Sequence, residues 1–349
     1  MNYFFWFLPL TLIVGLFCWY FGHIFFRLLP KKIQNHPFWY WLTLMISVGV
    51  SVYLRTPVLG FLLYFTLFHF IYDGLRILTY PFKKVNNFLR KINIKELPLI
   101  IFAFVFTLYG LFNAMHPEKK EYTISLNKEV KKEIKIAFLS DLHLGTPYLD
   151  SDFKNLITTI NNDNYDVFVL GGDIFDEWTT DSQKEKFFEV LKQIKTQNGL
   201  YYIEGNHDVL NEEVTQKYRK SGVRVLQDEV VLIENRYYLI GRKDRMTGKV
   251  QNLKNLLKNV DSTLPLIVLE HQPSNVSELE ENKIDLSISG HTHGGQIWPA
   301  NYFVMYGYYD NGYSKSIVSS GYGEWGMPIK TAYHSELVSI TLKEKEYPS

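Results

Sequence analysis

The chain has 349 residues, a net charge of +1 and one cysteine, Cys18, which excludes an intrachain disulfide framework. Its length leaves room for two structural units. The small net charge conceals two different halves. Residues 1–116 contain ten Lys and Arg residues against two acids, a net charge of +8, so residues 117–349 carry −7 by difference from +1. We therefore expect two units of different kinds.

The first half contains apolar runs close to the length of about 20 residues that a transmembrane helix needs. These runs cover residues 3–26, 38–54, 58–72 and 97–115. The third run reaches full length only by including Asp73 and Arg76, which could pair with each other or lie at the interface. A cleaved signal peptide is the alternative for the first run, but no basic region precedes it and further spans follow. The sequence predicts an α-helical transmembrane region of about four spans at 1–116.

The basic residues predict the orientation of these spans. The loops after the first and third runs are rich in Lys and Arg, and such loops face the cytoplasm. With four spans, everything after the fourth then lies on the other side of the membrane. Loss of the third span would reverse this and place the second half in the cytoplasm. We expect an integral protein of the cell (inner) membrane with an extracytoplasmic second half, the cytoplasmic location being the alternative.

Residues 133–349 have the pattern of an α/β domain, which a short linker at 117–132 joins to the spans. Short apolar runs typical of buried strands alternate with amphipathic helices. The runs include IKIAFLS, YDVFVLG, GLYYIEG, LPLIVLE and IDLSIS, and the predicted helices cover 152–162, 182–196, 212–220 and 253–260. This alternation predicts a sheet with helices packed on it.

Polar side chains follow five of the predicted strands directly. They are Asp141 and His143, then Asp173, then Asn206 with His207 and Asp208, then His271, and finally His291 and His293. Ligands of open α/β sheets bind beyond the carboxyl ends of the strands, so the five loops should converge on one crevice. Each motif alone has an ordinary explanation as a turn or a cap. Carboxylates with imidazoles and no thiolates suit Mn, Fe or Zn, and this many ligands suit two ions that share a carboxylate.

The ordered motifs D-x-H, G-G-D, G-N-H-D, a lone His after a strand and G-H-T-H resemble those of the calcineurin-like metallophosphoesterase superfamily. The run GHTHGGQ is similar to its bacterial membrane-associated phosphodiesterase branch. The resemblance covers about 133–342 and implies a four-layer αββα sandwich, in which two mixed sheets lie between helices.

The resemblance also implies roles for individual residues. Asp141, His143 and His293 would bind the first metal. Asn206, His271 and His291 would bind the second, and Asp173 would bridge the two. His207 would be the acid that protonates the leaving group, and Asp208 would orient the ring of His207.

Together these patterns predict a membrane-anchored hydrolase of the metal-dependent phosphodiesterase type. It would use two divalent ions, Mn or else Fe, Zn, Co or Ni, to cleave phosphodiester or pyrophosphate bonds. We expect the lipid bilayer and a phosphorylated, lipid-linked substrate as its partners, with no nucleic acid and no obligate protein partner. The alternatives are a UDP-2,3-diacylglucosamine pyrophosphatase of lipid A synthesis, a non-catalytic metal-binding sensor or scaffold, and a transporter. A sensor should lack Asn206, His207 or Asp173, and all three are present.

Four features receive no functional role from the sequence. Lys330 stands where related sequences usually carry an Arg, and a Lys binds phosphate only as a point charge. The run GRKDR at 241–245 is interpreted as a solvated loop, with contact to substrate phosphate as the alternative. The aromatic stretch at 298–313 could form an apolar lip beside the metals or pack against a sheet edge. Gln296 matches the last residue of the run GHTHGGQ, and the sequence gives it no further role.

Overall fold

The computed structural model describes residues 19–20, 22–24, 26–27, 29–34, 38–39, 41–42, 45–46, 57–92, 96–145, 153–208 and 210–345. The chain divides into two compact units, Met1–Leu111 and Phe112–Ser349.

The first unit is mostly helical where it is described. The helices with fully described bounds are α1 (Lys31–Gln34), α2 (Pro57–Leu78), α3 (Lys83–Ile92) and α4 (Leu97–Met115), most of which lies in this unit. Of the described helices, α2 and α4, with 22 and 19 residues, are long and apolar enough to cross a bilayer. They coincide with the third and fourth predicted spans.

The other two predicted spans, at 3–26 and 38–54, lie largely outside the described residues. The described residues thus contain two candidate spans, and the number of about four stays a prediction. In α2, Asp73 does not depend on Arg76 for a partner, since its Oδ2 atom lies 3.4 Å from Nδ1 of His69, one turn earlier.

The second unit is built on two mixed six-stranded sheets. The first has the order β1-β12-β2-β3-β4-β5 and comprises β1 (Glu118–Leu126), β2 (Ile134–Leu139), β3 (Val167–Leu170), β4 (Leu200–Tyr202), β5 (Val223–Val225) and β12 (Glu336–Glu344). The second has the order β10-β11-β9-β8-β7-β6 and comprises β6 (Glu229–Ile233), β7 (Tyr237–Gly241), β8 (Leu266–Leu269), β9 (Leu286–Ser289), β10 (Gly307–Asp310) and β11 (Lys315–Val318). Strands β2 to β5 are parallel to one another, as are β7, β8, β9 and β11.

Three hydrophobic cores stack the helices and sheets into layers. Helices α5 (Phe153–Asn162), α6 (Asp181–Leu191) and α7 (Glu212–Lys220) pack on the first sheet, and α8 (Leu253–Leu256) and α9 (Val276–Glu281) pack on the second. Along β2, Ala137 and Leu139 face the helices, whereas Ile136 and Phe138 face the second sheet. Because both faces of a central strand are buried, its sequence is continuously apolar. The layers follow the order helix, sheet, sheet, helix that the family resemblance implies.

The segment predicted as a linker, 117–132, contains strand β1. This strand pairs in parallel with β12, from Glu118 beside Glu336 to Leu126 beside Glu344. Its charged first half suggests a solvated connection, but the alternating side chains of Tyr122, Ile124 and Leu126 are the signal of a strand with one buried face. The domain thus incorporates most of the predicted linker into its first sheet.

Candidate metal centre

The loops after β2, β3, β4, β8 and β9 meet where the carboxyl ends of the two sheets come together. The structure gathers six of the predicted side chains there into two clusters. One cluster contains Asp141, His143 and His293, and the other contains Asp173, His271 and His291. Within each cluster the ligand-type atoms lie within 4.8 Å of one another. Each cluster therefore has one carboxylate and two imidazoles, a donor set that suits a divalent first-row metal.

The carboxylate of Asp173 lies within reach of both clusters. Its Oδ2 atom is 3.1 Å from Nε2 of His271 and 3.7 Å from Nε2 of His143. The clusters are also joined through Asp141, whose Oδ1 atom is 4.0 Å from Nε2 of His271. The two candidate sites are thus neighbours, with one carboxylate between them.

Several buried polar atoms in this region are placed so that they could coordinate a metal ion. In the described part of the chain, the buried Oδ1 atom of Asn206 has no hydrogen-bond partner. Nδ1 of His271 lies 2.9 Å from the carbonyl oxygen of Gly171, so the Nε2 atom of the ring faces the carboxylates. The Nε2 atoms of His143 and His293 are 3.3 Å apart, so one cation coordinated by both would satisfy both. The residues present therefore fit two divalent ions.

The ionisation of these groups also responds to burial. Burial lowers the pKa of His143 to about 4 and that of His293 well below its usual value, so both rings are neutral and able to coordinate. Burial raises the pKa of the Asp141 carboxyl to about 6. Burial alone would lower the pKa of His271, but its hydrogen bond to Asp173 and the charge of Asp141 raise that pKa to about 10. The buried carboxylates thus stabilise a positive charge placed between them, and a metal ion can supply that charge.

Unusual backbone geometry aims the side chains inward. Five of the predicted ligands have a positive φ: 53° at Asp141, 44° at His143, 51° at Asp173, 70° at His291 and 49° at His293. Left-handed backbone costs about 1–3 kcal/mol at a non-glycine residue and concentrates at functional sites. Hydrogen bonds between the loops stabilise this left-handed backbone. The amide of Asp141 donates to the carbonyl of Gly172, and the amide of His291 donates to the carboxylate of Asp141.

Glycine is required where the loops touch. A Cβ atom on Gly290 would collide with the carboxylate of Asp141 and the hydroxyl of Ser140.

We expect Gly290→Ala to displace Asp141 and weaken metal binding by roughly 10- to 100-fold, the usual loss when the support of a ligand is disturbed. Calorimetric titration of the full chain with Mn²⁺ measures this. Gly248→Ala is the control, because its Cβ would meet only the flexible end of Lys243; equal affinity of the two variants would contradict the prediction.

His207 lies beside the clusters, and its partner differs from the predicted one. Nδ1 of His207 is 3.1 Å from Oε1 of Glu177. Its ring meets that of His143 edge-on, with centroids 5.3 Å apart. The carboxylate of Asp208 instead accepts four backbone N–H groups, those of Asp173, Ile174, Phe175 and Gly205. The prediction that Asp208 orients His207 is therefore corrected: Glu177 makes that contact, and Asp208 holds the loop of Asp173.

Comparison with known proteins agrees with this geometry. Residues 134–295 match the family model described as calcineurin-like phosphoesterase. An uncharacterized metallophosphoesterase of Helicobacter pylori strain J99 is 33% identical over 75% of this chain and 72% of its own length. The chain belongs to the calcineurin-like metallophosphoesterases.

Two further relatives extend beyond the catalytic domain. An uncharacterized metallophosphoesterase of Helicobacter pylori strain 26695 is 29% identical over 90% of this metallophosphoesterase and 92% of its own length. A transmembrane protein with metallophosphoesterase domain from Danio rerio is 30% identical over 71% of this chain and 62% of its own. The second of these relatives is thus named both for a transmembrane protein and for such a domain.

Lys330 is a structural residue of this metallophosphoesterase. It is fully buried, and its Nζ atom donates to the carbonyl oxygens of Ser320 and Gly321 at 2.8 and 2.6 Å. Gly321 in turn packs against Asp141. An ammonium enclosed in this way has no path to a substrate phosphate, so Lys330 supports the loop behind the metal centre.

Arg242 in the run GRKDR is also buried, against the prediction of a solvated loop. Its guanidinium lies 3.0 Å from Glu278 and 3.4 Å from Glu270. Arg245 is the exposed member of the run, and it lies 3.8 Å from Glu270. The interpretation as a solvated charge run thus fits Arg245 and fails for Arg242.

We expect Arg242→Met to lower the free energy of unfolding by roughly 3 kcal/mol, because it leaves the buried Glu270 with only the distant Arg245 and removes the cation beside the partly buried Glu278. The Michaelis constant for a soluble phosphodiester should not change. Denaturant unfolding of the full chain in detergent, with steady-state kinetics alongside, measures both. Arg245→Met is the matched control and should cost less than about 1 kcal/mol, as an exposed pair does. A raised Michaelis constant in the Arg242 variant would instead indicate contact with substrate.

Gln296 has a structural role that the sequence did not reveal. Its side-chain nitrogen donates to the carbonyls of Trp325 and Met327 at 3.1 and 2.9 Å, and its side-chain oxygen accepts the amide of Trp325 at 3.0 Å. The half-exposed ring of Trp325 lies 5.8 Å from that of His207, centroid to centroid. Gln296 thus connects the His291–His293 turn to Trp325, whose ring lies beside His207.

Proposed function

We propose that this metallophosphoesterase is a membrane-anchored enzyme that uses two divalent metal ions to hydrolyse phosphodiester or pyrophosphate bonds of a lipid-linked substrate. The observation that carries the proposal is the pair of three-residue clusters with Asp173 between them. Two ions held there would clamp a phosphoryl group between them. Oxygen and imidazole donors suit Mn²⁺, which we propose as the metal, with Fe, Zn, Co or Ni as alternatives.

Each side chain of the centre has a proposed task. One ion would be held by Asp141, His143 and His293. The other ion would be held by Asn206, His271 and His291, and Asp173 would contribute to both sites. When bound, the ions would neutralise charge on the phosphoryl oxygens and activate a water molecule.

His207 would donate a proton to the departing oxygen. Its ring is held at Nδ1 by Glu177 and flanked by Trp325, so its Nε2 atom is the one free to reach the leaving group. Asp208 would act indirectly, by fixing the backbone on both sides of Asp173.

The membrane part of the proposal is supported by helices α2 and α4 and by the relative named as a transmembrane protein. The basic loops of the first half favour an extracytoplasmic domain in the cell membrane. Reporter fusions at the C-terminus test this orientation: alkaline phosphatase should be active there and a cytoplasmic fluorescent reporter dark, and the opposite pattern would place the domain in the cytoplasm. Lipid profiling of a deletion strain would then identify the lipid that accumulates.

Metal removal tests the enzymatic activity. The full chain in detergent, stripped with a chelator, should be inactive on bis-p-nitrophenyl phosphate and should recover with Mn²⁺ as two ions bind per chain. Turnover of the monoester p-nitrophenyl phosphate under the same conditions distinguishes a diesterase from a general phosphatase. Two bound ions without turnover, for any of Mn, Fe, Zn, Co or Ni, would support a metal-binding sensor and reject the enzyme.

A further inference from the structure

Residues 299–304, here called the aromatic tip, expose neighbouring apolar side chains. Tyr302, Phe303 and Val304 are 74%, 85% and 40% exposed. Isolated exposed apolar residues are common on proteins, but a contiguous exposed group marks a site of interaction. The metal centre does not use these side chains, so their exposure requires another explanation.

The aromatic tip is anchored to the turn that carries His291 and His293. The hydroxyl of Thr292, between the two histidines, donates to the carbonyl of Met305 at 2.7 Å. Gly295 has φ +76°, and a Cβ atom there would be 2.6 Å from the Cα atom of Asn301. These contacts fix the base of the tip next to the metal centre, so whatever binds the tip is held beside the site.

The end of α4 is docked within the same unit. Asn113 is fully buried, and its side-chain nitrogen donates to the carbonyl of Lys330 at 3.0 Å. The amide of Ser335 donates to the carbonyl of Asn113 at 3.2 Å, and the hydroxyl of Ser335 donates to the carbonyl of Ala114 at 3.1 Å. The last turn of the candidate span is thus attached to residues 330–335.

The same short segment holds the root of the aromatic tip. The amide of Trp298 donates to the hydroxyl of Thr331 at 2.9 Å. Lys330 and Thr331 are consecutive, and consecutive Cα atoms are about 3.8 Å apart. The point where α4 ends and the point where the tip begins are therefore held by adjacent residues.

We propose that the aromatic tip inserts into the surface of the bilayer that α4 crosses. The inference rests on the membrane anchoring proposed above. A helix that spans the bilayer and ends at Met115 would leave the bilayer close to Asn113, and adjacent residues hold Asn113 and the root of the tip. Tyr and other aromatic rings settle there, and a lipid surface would cover all three exposed side chains of the tip. The metal centre would then open at the headgroups, where the phosphoester of a lipid-linked substrate lies.

Depth-dependent quenching tests this insertion. The full chain with Cys18→Ser and Phe303→Cys, labelled with NBD, is placed in nanodiscs of phosphatidylethanolamine and phosphatidylglycerol with brominated acyl chains. The label should shift to the blue and lose roughly half of its fluorescence, at the depth of about 5–10 Å where interfacial segments settle. The matched control is Met246→Cys, at another residue that is 71% exposed, and its label should not be quenched. Equal fluorescence at both positions would overturn the proposal.

Two further readouts separate this inference from the proposed function. A label at Phe104→Cys, in α4, should be strongly quenched; without that quenching, the membrane anchoring is wrong and the tip proposal falls with it. Turnover of bis-p-nitrophenyl phosphate is measured on every labelled protein. Full turnover with an unquenched label at 303 rejects the tip insertion alone, whereas quenching at 303 without turnover supports the insertion and rejects the enzyme.

Discussion

Asp173→Asn should reduce turnover of bis-p-nitrophenyl phosphate by roughly 10³-fold, equivalent to about 4 kcal/mol of transition-state stabilisation. The change preserves the shape of the side chain, so the amide of His207 can still donate to Oδ1, as it does at 2.8 Å. It removes the negative charge that lies near both His143 and His271. Elemental analysis should therefore find fewer than two ions per chain, and activity should fall with them.

The matched control is Asp285→Asn. Asp285 is also a buried aspartate with an ionic partner, Lys128 at 2.6 Å, but it precedes β9, whereas His291 and His293 follow that strand. This variant should keep two ions and near-normal turnover even if its stability falls. Full metal content and full turnover in the Asp173 variant would show that Asp173 does not bridge the two sites.

His207→Ala should retain both ions, because His207 belongs to neither cluster. Loss of an acid that protonates the leaving group costs roughly 10²- to 10⁴-fold when the leaving group is an alcohol. The loss should be small for p-nitrophenol, which leaves readily as an anion. The measurement compares the turnover of phosphodiesters whose leaving groups range from p-nitrophenol to a simple alcohol, in parallel with metal analysis.

Glu177→Gln provides a graded comparison for this experiment. The amide still accepts a hydrogen bond from Nδ1 of His207 but lacks the charge, so the same dependence on leaving group should appear with a smaller loss. If His207→Ala slows all substrates by the same factor, the residue is not the acid. Loss of one ion in that variant would instead give it a part in holding the metals.

The loops of the centre could be predicted from sequence because parallel, buried strands have a simple signature. Val167–Leu170 is apolar throughout, since helices cover one face of the sheet and a second sheet covers the other. Polar residues directly after such a run must lie at the carboxyl edge. Runs of this kind precede Asp141, Asp173, His271 and His291, and the structure brings these residues together.

The partners of individual side chains were harder to predict, because they depend on contacts between distant parts of the chain. Asp208 follows His207 directly, which suggested a contact between them. The buried carboxylate of Asp208 instead accepts backbone N–H groups from the loop of Asp173, and Glu177 meets the His207 ring from 30 residues away. Sequence neighbours in a tight turn point in different directions, and no local pattern identified Glu177.

Charge patterns were misleading for a related reason. A run of charges in sequence suggests a solvated surface, but Arg242 is buried against Glu270 and Glu278. These acids lie 28 and 36 residues further along the chain. Burial of a charged residue depends on whether the fold supplies compensating partners, and that is a property of the tertiary structure.

The position of β12 imposes an order on the assembly of this protein during synthesis. β12, near the end of the chain, lies between β1 and β2 in the first sheet. Domains generally fold as units while translation proceeds from the N-terminus. Here β1 emerges directly after α4, but it must wait more than 200 residues for the strand with which it pairs. The first sheet, which carries three of the five metal-centre loops, therefore closes only after β12 has been synthesised. A ribosome that stalls before Glu336 would leave a chain with an incomplete first sheet.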